Sequence, residues 1–193
     1  MRRVVLLTVG VTVLAVSALG CRRGAKTPEE AYRRFSAAVT AGDGAALFDA
    51  LDQPTRWSWM TIQKCHREAY DIVLSNYPEG PERERESHRF EPGATATSAR
   101  ELFRAEAAPG LLPLLVPLVV ADARVEPGAD DGHAAAVLAS GARVPFARGQ
   151  DGGWGYSGLF KDAEEQQTRA VHDLDVVRAS AADYERAAAR AGK

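Results

Sequence analysis

Residues 133–159, with the sequence HAAAVLASGARVPFARGQDGGWGYSGL, decide the fold of this chain. Gly141 and the pair Asp151-Gly152 divide the stretch into three runs with a two-residue alternation. Such alternation is typical of strands with one buried face, and Asp-Gly between two such runs is a strong hairpin signal. The stretch therefore predicts three consecutive antiparallel strands.

The residues just before this stretch predict one more strand. The apolar run 111–120 contains prolines 113 and 117 and is too short to span a bilayer. We expect it to be buried backbone that leads into a strand over residues 119–126. Pro145 has no N–H, so we expect it on an edge strand or with its nitrogen directed outward.

The first half of the chain predicts helices. Thr27 and Glu30 have capping-box spacing and start a helix that ends at glycines 42 and 44. A second, short helix is expected over residues 45–51. Apolar residues at helical spacing predict a third helix over residues 55–77.

A further helix is expected between this third helix and the strands. Ser98 and Glu101 form a second capping box, which opens a helix reaching Ala108. Residues 78–93 are expected to be the least structured part. Their charged run, 82–86, is typical of a solvated face or loop.

The C-terminal segment, residues 161–193, predicts a long helix over residues 162–190. Its apolar stripe has the spacing of a heptad repeat over more than three heptads. The stripe positions are Ala163, Gln167, Ala170, Leu174, Val177, Ala181, Tyr184 and Ala188. Because most of these side chains are small, we expect weak self-association. The helix should pack back on the domain or on a partner through Leu174 and Val177, with mobile turns beyond Tyr184.

The N-terminus indicates export from the cytoplasm. Residues 1–20 have a basic start and an uncharged apolar run, which is the pattern of a signal peptide. The end of the run, Gly20-Cys21, resembles the lipobox of bacterial lipoproteins, although Ala18 stands where leucine is usual. The resemblance implies that Cys21 is acylated, anchors the protein to the cell membrane or outer membrane, and is followed by a short tether that ends at residue 26. The alternative is an uncleaved membrane anchor.

The net charge of the chain argues against a nucleic-acid partner. Removing residues 1–20 removes two of the 24 basic residues and leaves 22 against 26 acidic ones, a net charge of −4. Nucleic-acid binding requires phosphate neutralisation, so a nucleic-acid partner is not expected.

Cys65 is the other cysteine, and its place on the apolar side of a helical pattern predicts a buried thiol.

Few residues suggest catalysis. The candidate acids and bases are His66, Asp71, Asp122 and His133. Cys65 and His66 are adjacent, so on a helix their side chains point about 100° apart and do not form a nucleophile–base pair. The spacing of histidines, cysteines and carboxylates matches no metal motif, so we expect no metal or organic cofactor.

Aromatic residues offer candidate ligand contacts. Trp57, Trp59, His66 and Tyr156 are the candidate ligand-binding residues, because apolar and aromatic side chains supply most of a pocket wall. The alternative for each aromatic residue is a place in the core. Trp154, which opens the last strand, is expected to be buried against the helix that carries Tyr32 and Phe35.

The arrangement resembles the NTF2-like cone. Residues 27–32, TPEEAY, followed by Gly42-Asp43, are similar to the opening of exported NTF2-like lipoproteins. Asp151-Gly152-Gly153-Trp154 is similar to the turn before the last strand of such domains. The resemblance implies an α+β domain over residues 27–160, in which a curved antiparallel sheet packs on the N-terminal helices and leaves an apolar cavity. The C-terminal helix is an addition to that fold.

Three functions fit this arrangement. The first is a lipid-anchored, non-catalytic module of the cell envelope that binds a small molecule or a protein. The second is an isomerase-like or hydratase-like enzyme with an acid or base at the mouth of the cone. The third is a structural subunit of an envelope complex, docked on its partner through the C-terminal helix. A buried Asp or His that faces an enclosed cavity would favour the enzyme, and a filled cone with an exposed apolar helix stripe would favour the subunit.

Overall fold

The computed structural model describes residues 24–120 and 122–191. The segment expected to be a signal peptide and the candidate lipidation site Cys21 lie outside these residues. The described part is an α+β structure with seven α-helices, one short 3₁₀ turn and a four-stranded antiparallel sheet. The elements are α1 Pro28–Ala41, α2 Gly44–Ala50, α3 Gln53–Asn76, α4 Pro81–Thr95, α5 Ala99–Glu106, α6 Ala108–Leu115, the 3₁₀ turn Val116–Leu118, β1 Arg124–Pro127, β2 His133–Val137, β3 Arg143–Arg148, β4 Trp154–Tyr156 and α7 Phe160–Ala191.

The three predicted strands are confirmed as β2, β3 and β4, paired in chain order. Gly141 and Gly152 take positive φ angles of 83° and 78° at the two turns, a conformation that glycine adopts without strain. Asp151 supports the second turn, because its carboxylate accepts the Gly153 N–H at 3.0 Å. The local turn chemistry therefore fixes the order and the register of this meander.

Pro145 lies in an interior strand, so of the two alternatives expected for it the edge strand is wrong, and its nitrogen lies beyond the last residue pair with β4. It stands opposite Ala135 of β2, and its carbonyl accepts the N–H of Ser157 at 3.1 Å. The nitrogen and the carbonyl of one strand residue point to the same side, so the Pro145 nitrogen faces the end of β4. That strand stops at Tyr156, and the sheet tolerates the missing donor there.

Helix α1 covers one face of the sheet through aromatic packing. The ring of Phe35 lies 4.4 Å from that of Tyr156 and 6.3 Å from that of Phe146, and all three side chains are buried. Trp154 is only half-buried, so the prediction that it is largely buried against α1 is wrong. Tyr156, two residues later on the same face, takes that position instead.

The hydroxyl of Tyr32 joins α1 to the segment before β1. It accepts the N–H of Val120 at 3.0 Å and lies 3.0 Å from the Val120 carbonyl and 3.3 Å from that of Leu118. These backbone groups have no partner in a regular helix or strand. The tyrosine therefore satisfies polar groups at the turn between helix and sheet.

Replacing Tyr32 with phenylalanine tests this contact. The variant keeps the ring and leaves the Val120 N–H without its acceptor, so we expect the free energy of unfolding to fall by about 1–3 kcal/mol. Chemical denaturation measures the change. A variant as stable as the wild type would show that water replaces the hydroxyl at no cost.

Residues 78–93 were expected to be the least structured part, and the structure corrects this, because most of them form helix α4, on which the charged run 82–86 is a solvated face. Gly80 ends the preceding turn with a φ of 149°, and Pro81 fits the first turn of the new helix. Phe90 is buried against α3, and Gln63 and Arg67 of α3 donate to the Ala96 carbonyl just past the end of α4. One buried aromatic residue and these hydrogen bonds hold a helix whose sequence is otherwise charged.

Residues 111–120 also differ from the expectation. Residues 111–118 belong to α6 and the 3₁₀ turn, several of their side chains are exposed, and β1 begins only at Arg124. Pro109 occupies the first turn of α6, where a missing N–H costs nothing, and so starts a helix rather than a strand. The apolar composition suggested burial, but α6 lies at the surface.

Helix α7 packs along α3. Leu174 and Val177 are buried, as predicted, and Arg178 forms an ion pair with Glu68 of α3 at 2.6 Å. Near the far end of α7, the ring of Tyr184 lies 4.9 Å from that of Tyr77. Mobility of the turns beyond Tyr184 stays a prediction.

Candidate functional site

An open cleft of about 540 Å³ lies between α6 and the first turns of α7. Its floor is formed by Trp59 of α3, Phe103 of α5 and Leu159, the residue before α7. The rings of Trp59 and Phe103 meet edge to face at 5.2 Å. Three separate parts of the chain thus supply an apolar floor. The volume of the cleft is in the range of small-molecule sites.

Short-range sequence features place these elements. The Ser98 hydroxyl accepts the Glu101 N–H at 3.2 Å and caps α5, which orients the buried Phe103. Helix α6 starts against α2, where a Cβ on Gly44 would stand 2.4 Å from the Cβ of Ala108. A glycine at position 44 therefore lets α6 approach closely enough to form one wall of the cleft.

The rim of the cleft is predominantly acidic. Glu106, Asp162 and Glu165 contribute three carboxylates, whereas Arg169 is the cation among the lining residues. None of the three carboxylates forms an ion pair with a described residue. The side chains that line the cleft thus carry a net charge of −2.

Leu114 is an apolar side chain of the cleft that is open to solvent. It lines the cleft and is 71% exposed. Val116 and Val120, later in the same segment, are also exposed but do not line the cleft. Leu114 therefore offers apolar surface at the edge of the cleft.

The structure does not bring the four candidate ligand-binding residues together. Trp59 lies in the floor of the cleft, but Trp57 is 47% exposed on another side of α3 because two helical positions differ by about 200°. Tyr156 is part of the core under α1, and His66 faces α4. Trp59 is the one of the four candidates that lines the cleft, and ligand binding by these residues stays a prediction.

His66 has a structural setting. Its ring lies 5.7 Å from that of Phe90, and a Cβ on Gly93 would come within 2.4 Å of the His66 Cβ. Burial lowers the pKa of His66 below its usual range, and the nearby Asp173 opposes this shift only in part. His66 therefore acts as a neutral packing residue between α3 and α4.

The lowered pKa predicts a pH dependence of stability. The unfolded protein binds a proton at His66 more readily than the folded protein does. The contribution of neutral His66 to the free energy of unfolding is therefore full above about pH 6.5 and is lost as the pH drops through the folded pKa. Replacement by glutamine should reduce the loss of unfolding free energy between pH 7.5 and 5.5. Denaturation at both pH values measures it, with the exposed His172→Gln as control. A variant with the wild-type pH dependence would exclude this role.

The other candidate acids and bases are dispersed. Asp71 and Asp122 are exposed, and His133 is exposed beside Asp130, with 2.8 Å between its Nδ1 and a carboxylate oxygen. Cys65 is buried as predicted, and burial raises the pKa of its thiol. The structure thus does not bring these candidate acids and bases together.

Asp52 is a buried carboxylate that the sequence analysis did not single out. Its oxygen accepts the Thr55 N–H at 3.1 Å and caps α3. Burial raises its pKa, and hydrogen bonds to Thr55 work in the opposite direction. The sequence did contain a signal for this cap, because an aspartate directly before Gln53-Pro54 is typical of a helix start. The role of Asp52 is therefore structural.

The described residues contain neither a helix long and apolar enough to cross a membrane nor a cluster of three histidine, cysteine or carboxylate side chains placed to hold a metal ion. The expectation that the protein uses no metal or cofactor stays a prediction. Comparison with known proteins gives no lead, because no protein-family model, curated protein or solved structure matches the chain.

Proposed function

We propose that the protein is a lipid-anchored, non-catalytic interaction module of the cell envelope, built on an NTF2-like domain, whose binding surface is the cleft between α6 and α7. The observation that carries the proposal is the cleft itself, with an apolar floor, an exposed Leu114 and an unpaired acidic rim. Lipid anchoring is supported by the lipobox-like Gly20-Cys21 and the preceding apolar run.

The packing of α1 supports an interaction module over an enzyme. Phe35, Phe146 and Tyr156 fill the face of the sheet where a cone-shaped catalytic fold would hold its substrate. Leu114 of α6, which lines the cleft, is the most exposed of the large apolar side chains in the described part of the chain. Leu174 and Val177 in the middle of the C-terminal stripe are buried, so they are not available to a partner.

Position-specific photocrosslinking in the cells that produce the protein tests this function. Benzoylphenylalanine at position 114 should give a discrete adduct of higher mass, because the side chain lies at the binding surface. The matched control is position 74, an exposed leucine on α3 that does not line the cleft. Equal crosslinking at positions 114 and 74, or none at position 114, would refute the proposal.

A further inference from the structure

From the charge and shape of the cleft, and resting on the interaction function proposed above, we infer that the partner presents a basic amphipathic helix. Its apolar side chains enter the cleft, and its lysine or arginine side chains pair with the acidic rim. The inference concerns the chemistry of the partner, which neither the fold nor the lipid anchor specifies.

The shape of the surface fits a peptide rather than a compact ligand. The floor is apolar but nearly closed, since Trp59 is 5% exposed and Phe103 is fully buried. The accessible apolar surface at the cleft lies instead on Leu114 of α6. An open cleft with an exposed leucine beside it is a surface on which the apolar face of an amphipathic helix can lie.

The charges around the cleft favour a positively charged partner. Glu106 approaches the cleft from the end of α5, and Asp162 and Glu165 stand one turn apart on α7. A lysine or arginine flanking an inserted apolar residue would find an unpaired carboxylate on either side. An acidic peptide or an anionic lipid surface would meet like charge, which disfavours binding.

A peptide titration tests the inference on the full-length protein in zwitterionic nanodiscs. The probe is a fluorescent peptide of about 14 residues with leucine at helical spacing and lysine elsewhere, and a second peptide carries glutamate in place of lysine. Anisotropy gives the affinities, with empty nanodiscs as the blank. We expect the lysine peptide to bind at least about tenfold more tightly than the glutamate peptide, and less tightly as salt is added.

Two matched pairs of variants locate the binding. Glu165→Lys should lower the affinity for the lysine peptide by about tenfold. Its control, Glu164→Lys, makes the same change of charge on an exposed residue outside the cleft and should change the affinity by no more than about twofold. Leu114→Ser should weaken binding, and Leu74→Ser should not.

The inference is overturned if the two peptides bind alike, if binding does not exceed that of empty nanodiscs, or if either control matches its paired variant. These outcomes are distinguishable from failure of the proposed function. A position-114 adduct in cells together with equal peptide affinities would retain the interaction module and reject a basic helix as its partner.

Discussion

Replacing Phe35 with alanine is expected to lower the free energy of unfolding by about 3–5 kcal/mol, the range for a large aromatic residue in a core. Phe35 is fully buried, and its ring contacts those of Tyr32, Phe146 and Tyr156. The substitution opens a cavity at the contact between α1 and the sheet. The surrounding structure relaxes only partly around such a cavity, so the loss is not recovered.

Chemical denaturation of the wild type and the variant measures this loss. Phe160→Ala is the matched control, because Phe160 is 37% exposed at the start of α7 and should change stability by less than about 1 kcal/mol. A loss at Phe35 no larger than that at Phe160 would contradict the packing of α1 on the sheet.

Replacing Gly155 with alanine should also be strongly destabilising, by about 3 kcal/mol, at the upper end of the cost of overpacking. A Cβ at this position would stand 2.4 Å from the Leu51 carbonyl oxygen and 2.5 Å from the Asp52 nitrogen. Both are backbone atoms, and the Asp52 N–H donates to the Tyr156 carbonyl at 3.0 Å. Room for the methyl group therefore requires separating the start of α3 from β4.

Gly110→Ala is the control for this prediction. Gly110 lies in α6, and a Cβ there meets no atom within 4 Å, so alanine should stabilise the protein by up to about 1 kcal/mol. Thermal or chemical unfolding of both variants gives the comparison. If the two changed stability in the same direction, the close approach of residues 51–52 to β4 would be wrong.

The elements that the sequence predicted well are those with local chemical signals. Thr27 caps α1 and Ser98 caps α5, as the capping-box spacing indicated. The glutamates three residues later reach one position further back than expected, to the N–H groups of Lys26 and Thr97. The hairpins followed from glycine and Asp-Gly turns. In each case the information lies within a few residues of the element.

The elements that were missed depend on contacts distant in sequence. Helix α4 has a weak apolar pattern, and its position follows from Phe90 on α3 and from an ion pair between Arg89 and Asp173 of α7. The segment 111–120 was apolar enough to suggest burial, but neighbouring elements leave Leu114 and Val116 uncovered. Composition alone does not indicate which apolar segment remains exposed.

The cleft could not be predicted for the same reason. Its floor joins Trp59, Phe103 and Leu159, which are far apart in the chain, and its acidic rim comes from α5 and α7. Trp59 was a candidate because of its residue type. Trp57 was an equally good candidate in sequence, and only the helical phase of α3 separates the two.

The central claim is that this module works on a membrane to which Cys21 attaches it. Metabolic labelling with an alkyne fatty acid tests the attachment most directly, in cells that produce the wild type or Cys21→Ala. We expect the wild-type protein to carry the label and to sediment with membranes, and the variant to carry none, while Cys65, which is buried, stays unlabelled in both. A wild-type protein without label would contradict the account.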